Sequence, residues 1–190
     1  MPFYDFMQKL VLARQIKFNK GKIELLNQKL SIFPISVFST IIENNPSTIP
    51  DVYKSTKNSA ELFASETQKL HKFTGRELAN WLIDIIAFSG WGIAKFTIYN
   101  GKDLSAKIRF DHSTIGEIAS KKEAVDHAVR GFFAGGGSIS MNKNIECLEI
   151  KCIAKGDKIC EFVLGETKTL KKEYPELFKT QLGWINGKGK

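Results

Sequence analysis

The chain has 190 residues, enough for one domain with a sizeable core, and its 43% hydrophobic and 25% charged content is that of an ordinary globular protein. The net charge of +8 comes from lysines spread along the chain, without a basic stretch interleaved with aromatics or any helix-turn-helix or zinc-finger spacing, which argues against direct nucleic-acid binding. The most apolar run, residues 78–94, is broken by Asn80 and Asp84 and so falls short of a membrane span. The start, MPFYDFMQKLVLARQ, lacks a secretory apolar core, and three cysteines are too few for a disulfide framework, so the expected location is the cytoplasm.

In chain order, Phe3, Phe6, Met7, Leu10 and Val11 recur at helical spacing and predict a helix over residues 3–14. Residues 15–18 and 23–33 then read as a hairpin around Asn19-Lys20-Gly21-Lys22, leading to Pro34. Helices are predicted over 36–43 and over 50–73. The capping-box spacing of Thr74 and Glu77 predicts another from 74 to about 89, apolar over most of its circumference and therefore central. Gly90-Trp91-Gly92 ends it, and 93–99 with 104–110 form a second hairpin around Asn100-Gly101.

Ser120 and Glu123 repeat the capping-box spacing and predict the start of a helix carrying Val125, Val129, Phe132 and Phe133, which the run Gly135-Gly136-Gly137 should break. That run follows a helix instead of opening one and lacks a Walker lysine, so it is a cap or a close backbone approach, not a phosphate cradle. A third hairpin turns at Lys155-Gly156-Asp157. With Gly156 at its tip, Cys152 faces Cys160 and Ile153 faces Ile159, opposed Cβ atoms lying roughly 4.5–5.5 Å apart. After Gly165 the chain is Lys-rich; Leu170, Tyr174, Leu177 and Phe178 suit one short helix, and disorder is expected beyond Trp184-Ile185. The pattern predicts an α+β fold, an antiparallel sheet covered by helices, in a single domain over 1–165 with a tail over 166–190.

The facing pair Cys152 and Cys160 is compatible with shared metal ligation, a strained disulfide or two buried thiols. Cys147 lies on the Glu149 face and packs. Glu149 and Cys152, separated by an odd number of residues, point to opposite faces unless a bulge intervenes. The aromatics Trp81, Phe88, Trp91, Phe96, Phe110, Phe132 and Phe133 gather around one interior, as core or as the lining of an apolar pocket, with His112 able to supply a polar contact there. The other histidines are His71 and His127; Ser113 follows His112, but no nucleophile elbow is present, and a binding module is favoured over an enzyme.

The run Glu149-x-x-Cys152, Gly156-Asp157, Cys160 and Phe162, preceded by Gly131-Phe132-Phe133-Ala134-Gly135, resembles the 4-vinyl reductase-type domain. The domain core would span about residues 74–165. That family occurs in archaeal proteins and in aromatic-sensing bacterial activators, and is similar in fold to the TRAPP vesicle-tethering subunits. The resemblance implies zinc ligands at Glu149, Cys152 and Cys160. A fourth, a helix cysteine in the family, falls here on Asp126, with His127 beside it, and either side chain can bind zinc. It also implies a homodimer that takes an apolar or aromatic small molecule in a pocket touching Phe110 and His112. Alternatives are a TRAPP-like scaffold with a protein partner, or an enzyme acting on a tetrapyrrole vinyl group.

Overall fold

A computed structural model describes residue 8 and residues 10–26 and 28–186. Of the predicted first helix, Gln8 and residues 10–12 are helical and the rest lies outside the described residues, as do the last four residues of the predicted tail.

Two antiparallel sheets organise the chain. The first joins β1 (Ile16–Asn19), β2 (Lys22–Leu25) and β3 (Gln28–Leu30) in sequence order. The strand expected over 23–33 divides in two because Leu26 turns through a left-handed conformation, φ 50°. Helices α1 (Ile35–Asn44), α2 (Ile49–His71) and α3 (Gly75–Phe88) follow. The second sheet has β4 (Ile93–Asn100), β5 (Ser105–Asp111), β6 (Glu146–Lys151) and β7 (Cys160–Gly165), ordered β4-β5-β7-β6. The β4–β5 turn closes on Asn100, whose side-chain oxygen accepts from the backbone of Lys102 and Asp103 at 3.1 and 3.2 Å. None of the described helices is long and apolar enough to cross a membrane.

The two capping boxes fare differently. Thr74 has the extended backbone of an N-cap, but its carbonyl, not its hydroxyl, receives Glu77 N, at 3.1 Å. Ser120 opens no helix: its hydroxyl donates to Glu43 on α1 at 2.8 Å and its N–H to the same carboxylate at 3.1 Å, diverting it from a cap. A short α4 (Thr114–Ile118) precedes this loop and α5 (His127–Met141) follows it.

The glycine run does not break α5. Gly131 and Gly135 face α2, where a Cβ would collide with the Tyr53 and Lys57 carbonyls; Gly136 lies against Leu82 and Gly137 against Ile145 and Leu164. Missing side chains let two helix backbones meet. The helix ends six residues later than expected, at Met141, where Asn142 caps it in a left-handed conformation. Beneath α5, Phe110, Phe133 and Phe162 stack edge-to-face at 5.2–5.9 Å. A second apolar cluster joins Leu10, Leu25, Phe63 and Leu78 under the small sheet. The single helix expected near the end is two, α6 (Thr167–Glu173) and α7 (Pro175–Leu182), parted at Pro175; they bury Leu170, Phe178 and Leu182 against the body.

Candidate functional site

The site forms where the β6–β7 hairpin meets the start of α5. Pairing slips between Glu149↔Phe162 and Lys151↔Glu161, so one extra residue, Ile150, sits in β6. This bulge resolves the parity problem, because it lets Glu149 and Cys152 turn toward the same side. The hairpin then closes through a 3-10 turn at Ile153–Lys155 and Gly156 at φ 100°, so the expected Ile153–Ile159 ladder pair does not form. Cys152 N donates to Asp157 at 2.9 Å, and Ile153 N approaches Cys160 Sγ at 3.4 Å.

Asp126 caps α5 and completes the group. Its N–H reaches Glu149 Oε2 at 3.3 Å, and its Oδ1 accepts from Ser113, whose hydroxyl in turn accepts from Gly116 N at 3.0 Å. Donor atoms of Asp126, Glu149, Cys152 and Cys160 all lie within 4.8 Å of one another, and all four residues are buried. Asp126 Oδ2 and Glu149 Oε1 have neither solvent nor a hydrogen-bond partner among the described residues. Burial raises the pKa of Asp126, against the Ser113 hydrogen bond and Arg130; burial and the Asp126 charge push Glu149 well above the carboxylate range. The hydrogen bond from Cys160 lowers the Cys152 thiol, and the same contact raises Cys160.

This donor set fits a cation. Two thiolates and two carboxylates are zinc ligand types, and a buried oxygen without a partner is what a metal would satisfy. His127 does not join them: its Nδ1 meets Arg130 at 2.8 Å, and burial, with Arg130 and Lys121, keeps the ring neutral by lowering its pKa to about 3. Cys147 is buried outside the group, as expected for packing.

Sequence reasoning missed two polar networks beside this cluster. Arg130, fully buried on α5, donates to Gln181 Oε1 at 3.1 Å and lies 5.4 Å from the Tyr53 ring. Gln181 on α7 grips Glu149 twice, accepting from its N–H at 2.9 Å and donating to its carbonyl at 2.8 Å. On α2, Lys57 binds Glu146 and Asn144 at 2.7 Å each, and Tyr53 donates to the other Glu146 oxygen at 2.7 Å. The available signal was chemical: an arginine amid Val129, Phe132 and Phe133 is out of place on an apolar helix face.

The predicted aromatic interior is divided. Phe96 and Phe132 border a space of only about 20 Å³ between α3, α5 and the sheet, room for about one water. A larger cavity of about 230 Å³ lies under the small sheet, bounded by Leu25, Gln28, Phe63, Ile86, Trp91 and Phe132. Gln28 Nε2 is buried without a partner among the described residues. Phe110 is closed into the core by Phe133 and Phe162, while Trp81 packs on Phe63 and His71, and Phe88 against the N-terminal cluster. His112 is turned outward: a left-handed backbone, φ 57°, points its exposed ring toward Glu117 at 3.7 Å. These four lie outside the boundary of the larger cavity.

Residues 110–166, which hold all four clustered donors, match the family model for the vinyl-4-reductase domain. Among solved structures, the phenol-responsive sensory domain of the transcription activator PoxR, crystallised with phenol, has a TM-score of 0.76 at 13% identity, covering 93% of this chain and 96% of that one. A trafficking protein particle complex subunit 3 from Naegleria fowleri, covalently bound to palmitic acid, has a TM-score of 0.51 at 14% identity, covering 68% and 88%. The α+β fold expected from the sequence is the fold of these proteins. No curated protein matches the chain.

Proposed function

We propose that this chain, with its vinyl-4-reductase domain, is a non-enzymatic module that binds or senses a small apolar or aromatic molecule, working as a cytoplasmic homodimer with a zinc-braced hairpin. One observation carries the reading: the cavity of about 230 Å³ has largely apolar walls that include the rings of Phe63, Trp91 and Phe132, and an uncommitted amide at Gln28. An apolar cavity of roughly 150 Å³ already holds benzene, so a single ring with one polar substituent matches in size and chemistry. The phenol in the PoxR structure supports the same ligand class.

Zinc would be held by Asp126, Glu149, Cys152 and Cys160; its contribution when bound is structural, since a centre with four protein donors keeps no open position for substrate. The remaining work belongs to the chain. Ala128, Val129 and Phe132 border the cavity on the same helix that Asp126 caps, so α5 is common to both sites. The Gly135–Gly137 segment, being helical, is not the element that orders on binding.

Calorimetric titration with phenol and with short alkylphenols tests this reading. Saturable binding by the wild type and at least about tenfold weaker binding by Trp91→Ala are expected, as the loss of a buried aromatic wall would give. A second reading, a TRAPP-like interaction scaffold, is favoured by one feature: Ile32, Phe33, Val37 and Ile41 expose apolar surface along and just before α1. Under that reading no ring compound binds, and Val37→Lys disrupts an assembly seen by sedimentation.

A further inference from the structure

We propose that the C-terminal helix pair α6–α7 reads out the metal site: Gln181 ties both carboxylate-bearing segments to α7, so loading of the four-donor cluster and docking of the pair form one coupled equilibrium. The inference rests on the metal reading above and deepens it.

The geometry starts from an edge. β6 is the outer strand of its sheet, so its outward N–H and C=O groups have no strand to meet. At Glu149, where the carboxylate leaves the strand just before the bulge, Gln181 supplies both partners through its side-chain amide, as a neighbouring strand would. The same Oε1 that receives Glu149 N also receives Arg130, and the Gln181 carbonyl lies 3.4 Å from that guanidinium. Arg130 stands one turn into α5 and its N–H closes on the Asp126 carbonyl at 2.8 Å. Gln181 therefore holds the Glu149 segment directly and the Asp126 segment through one residue.

Charge points the same way. Two thiolates and two carboxylates outweigh a divalent cation, and the buried, permanently charged Arg130 is the compensating group, held in register by Gln181. When the cluster closes on a cation, Glu149 and α5 are fixed and Gln181 meets both in a single conformation. When the donors are empty, their orphaned oxygens favour separation, and the grip that seats α7 is strained. Partners that orient metal ligands typically change metal affinity by about 10–100-fold, and linkage makes the effect reciprocal.

The test uses the full chain, with zinc alone as the probe. Zinc affinity is measured by competition with a chromophoric chelator for the wild type, Gln181→Ala and Phe178→Ala, the last loosening α7 through packing without touching the polar network. Amide hydrogen exchange over 167–182 is measured with zinc and after stripping. The expected results are slower exchange on loading by about tenfold or more, and zinc binding weakened by about 10–100-fold in both variants. A merely structural Gln181 lowers the melting temperature of both forms equally and leaves zinc affinity unchanged. Tightly bound zinc with unchanged exchange, or with wild-type affinity in Gln181→Ala, overturns the coupling and leaves the metal reading standing. No zinc on the wild type overturns both. If Gln181→Ala fails to fold, Phe178→Ala and the wild-type exchange decide.

Discussion

Two buried charged groups border Arg130, and they are completed differently. In the first, Lys57 meets Glu146 and Asn144, and Tyr53 donates to the remaining Glu146 oxygen, so charges of opposite sign answer each other. In the second, Asp126, Glu149, Cys152 and Cys160 carry one sign only, and two carboxylate oxygens are left over. A self-paired group stabilises or costs according to its fit; a like-charged one calls for an ion from outside. The difference separates scaffold from candidate site without any appeal to relatives.

The comparison is broken most forcefully at the paired group. Lys57→Met leaves Glu146 buried without its cation, and denaturant unfolding should report a loss of about 3–5 kcal/mol, while Lys57→Met with Glu146→Leu recovers much of it. If the single change costs no more than a surface substitution, the pair is not a closed unit. At the like-charged group, Cys160→Ser and Asp126→Ala should each abolish the zinc found by elemental mass spectrometry, whereas His127→Ala retains it; zinc persisting in Asp126→Ala removes that residue from the ligand set.

A pH series sharpens the contrast further. Asp126 and Glu149 have raised pKa values in the fold, so the native apo chain binds more protons than the unfolded one between the unfolded and folded values, and its stability falls as pH rises through that window. Zinc displaces those protons, so the loaded chain should lose stability as pH falls. Melting temperatures of the two forms should slope in opposite directions; parallel slopes would mean the carboxylates are not where the metal binds. The smallest effect belongs to Lys69→Ala, which removes an exposed pair with Glu66 and should leave the unfolding midpoint at the wild-type value.

What was legible in the sequence was mainly local. Turn chemistry marked Gly156 and Asn100, helical periodicity marked α2 and α3, and counting back from Gly131 found Asp126. What escaped depended on partners far along the chain. Ser120 has a helix-opening signature, yet Glu43 claims it from 77 residues away. Arg130 looks like a surface cation until Gln181, 51 residues later, accepts from it. The bulge entered the sequence reading only as a condition, because register slips leave no compositional mark, and the aromatics were gathered into one interior because spacing does not say which of two clusters a helix face meets.

The contact between α2 and α5 has a further consequence. Because Gly131 and Gly135 bring one backbone onto the other, there is no side chain there to repack and hence one seating for the pair. The two helices supply a fixed ruler inside the protein. Probes placed on the exposed residues Asn58 and Lys143 should keep their separation whatever is bound, so any distance from this ruler to the hairpin or to α7 that does change belongs to those elements alone.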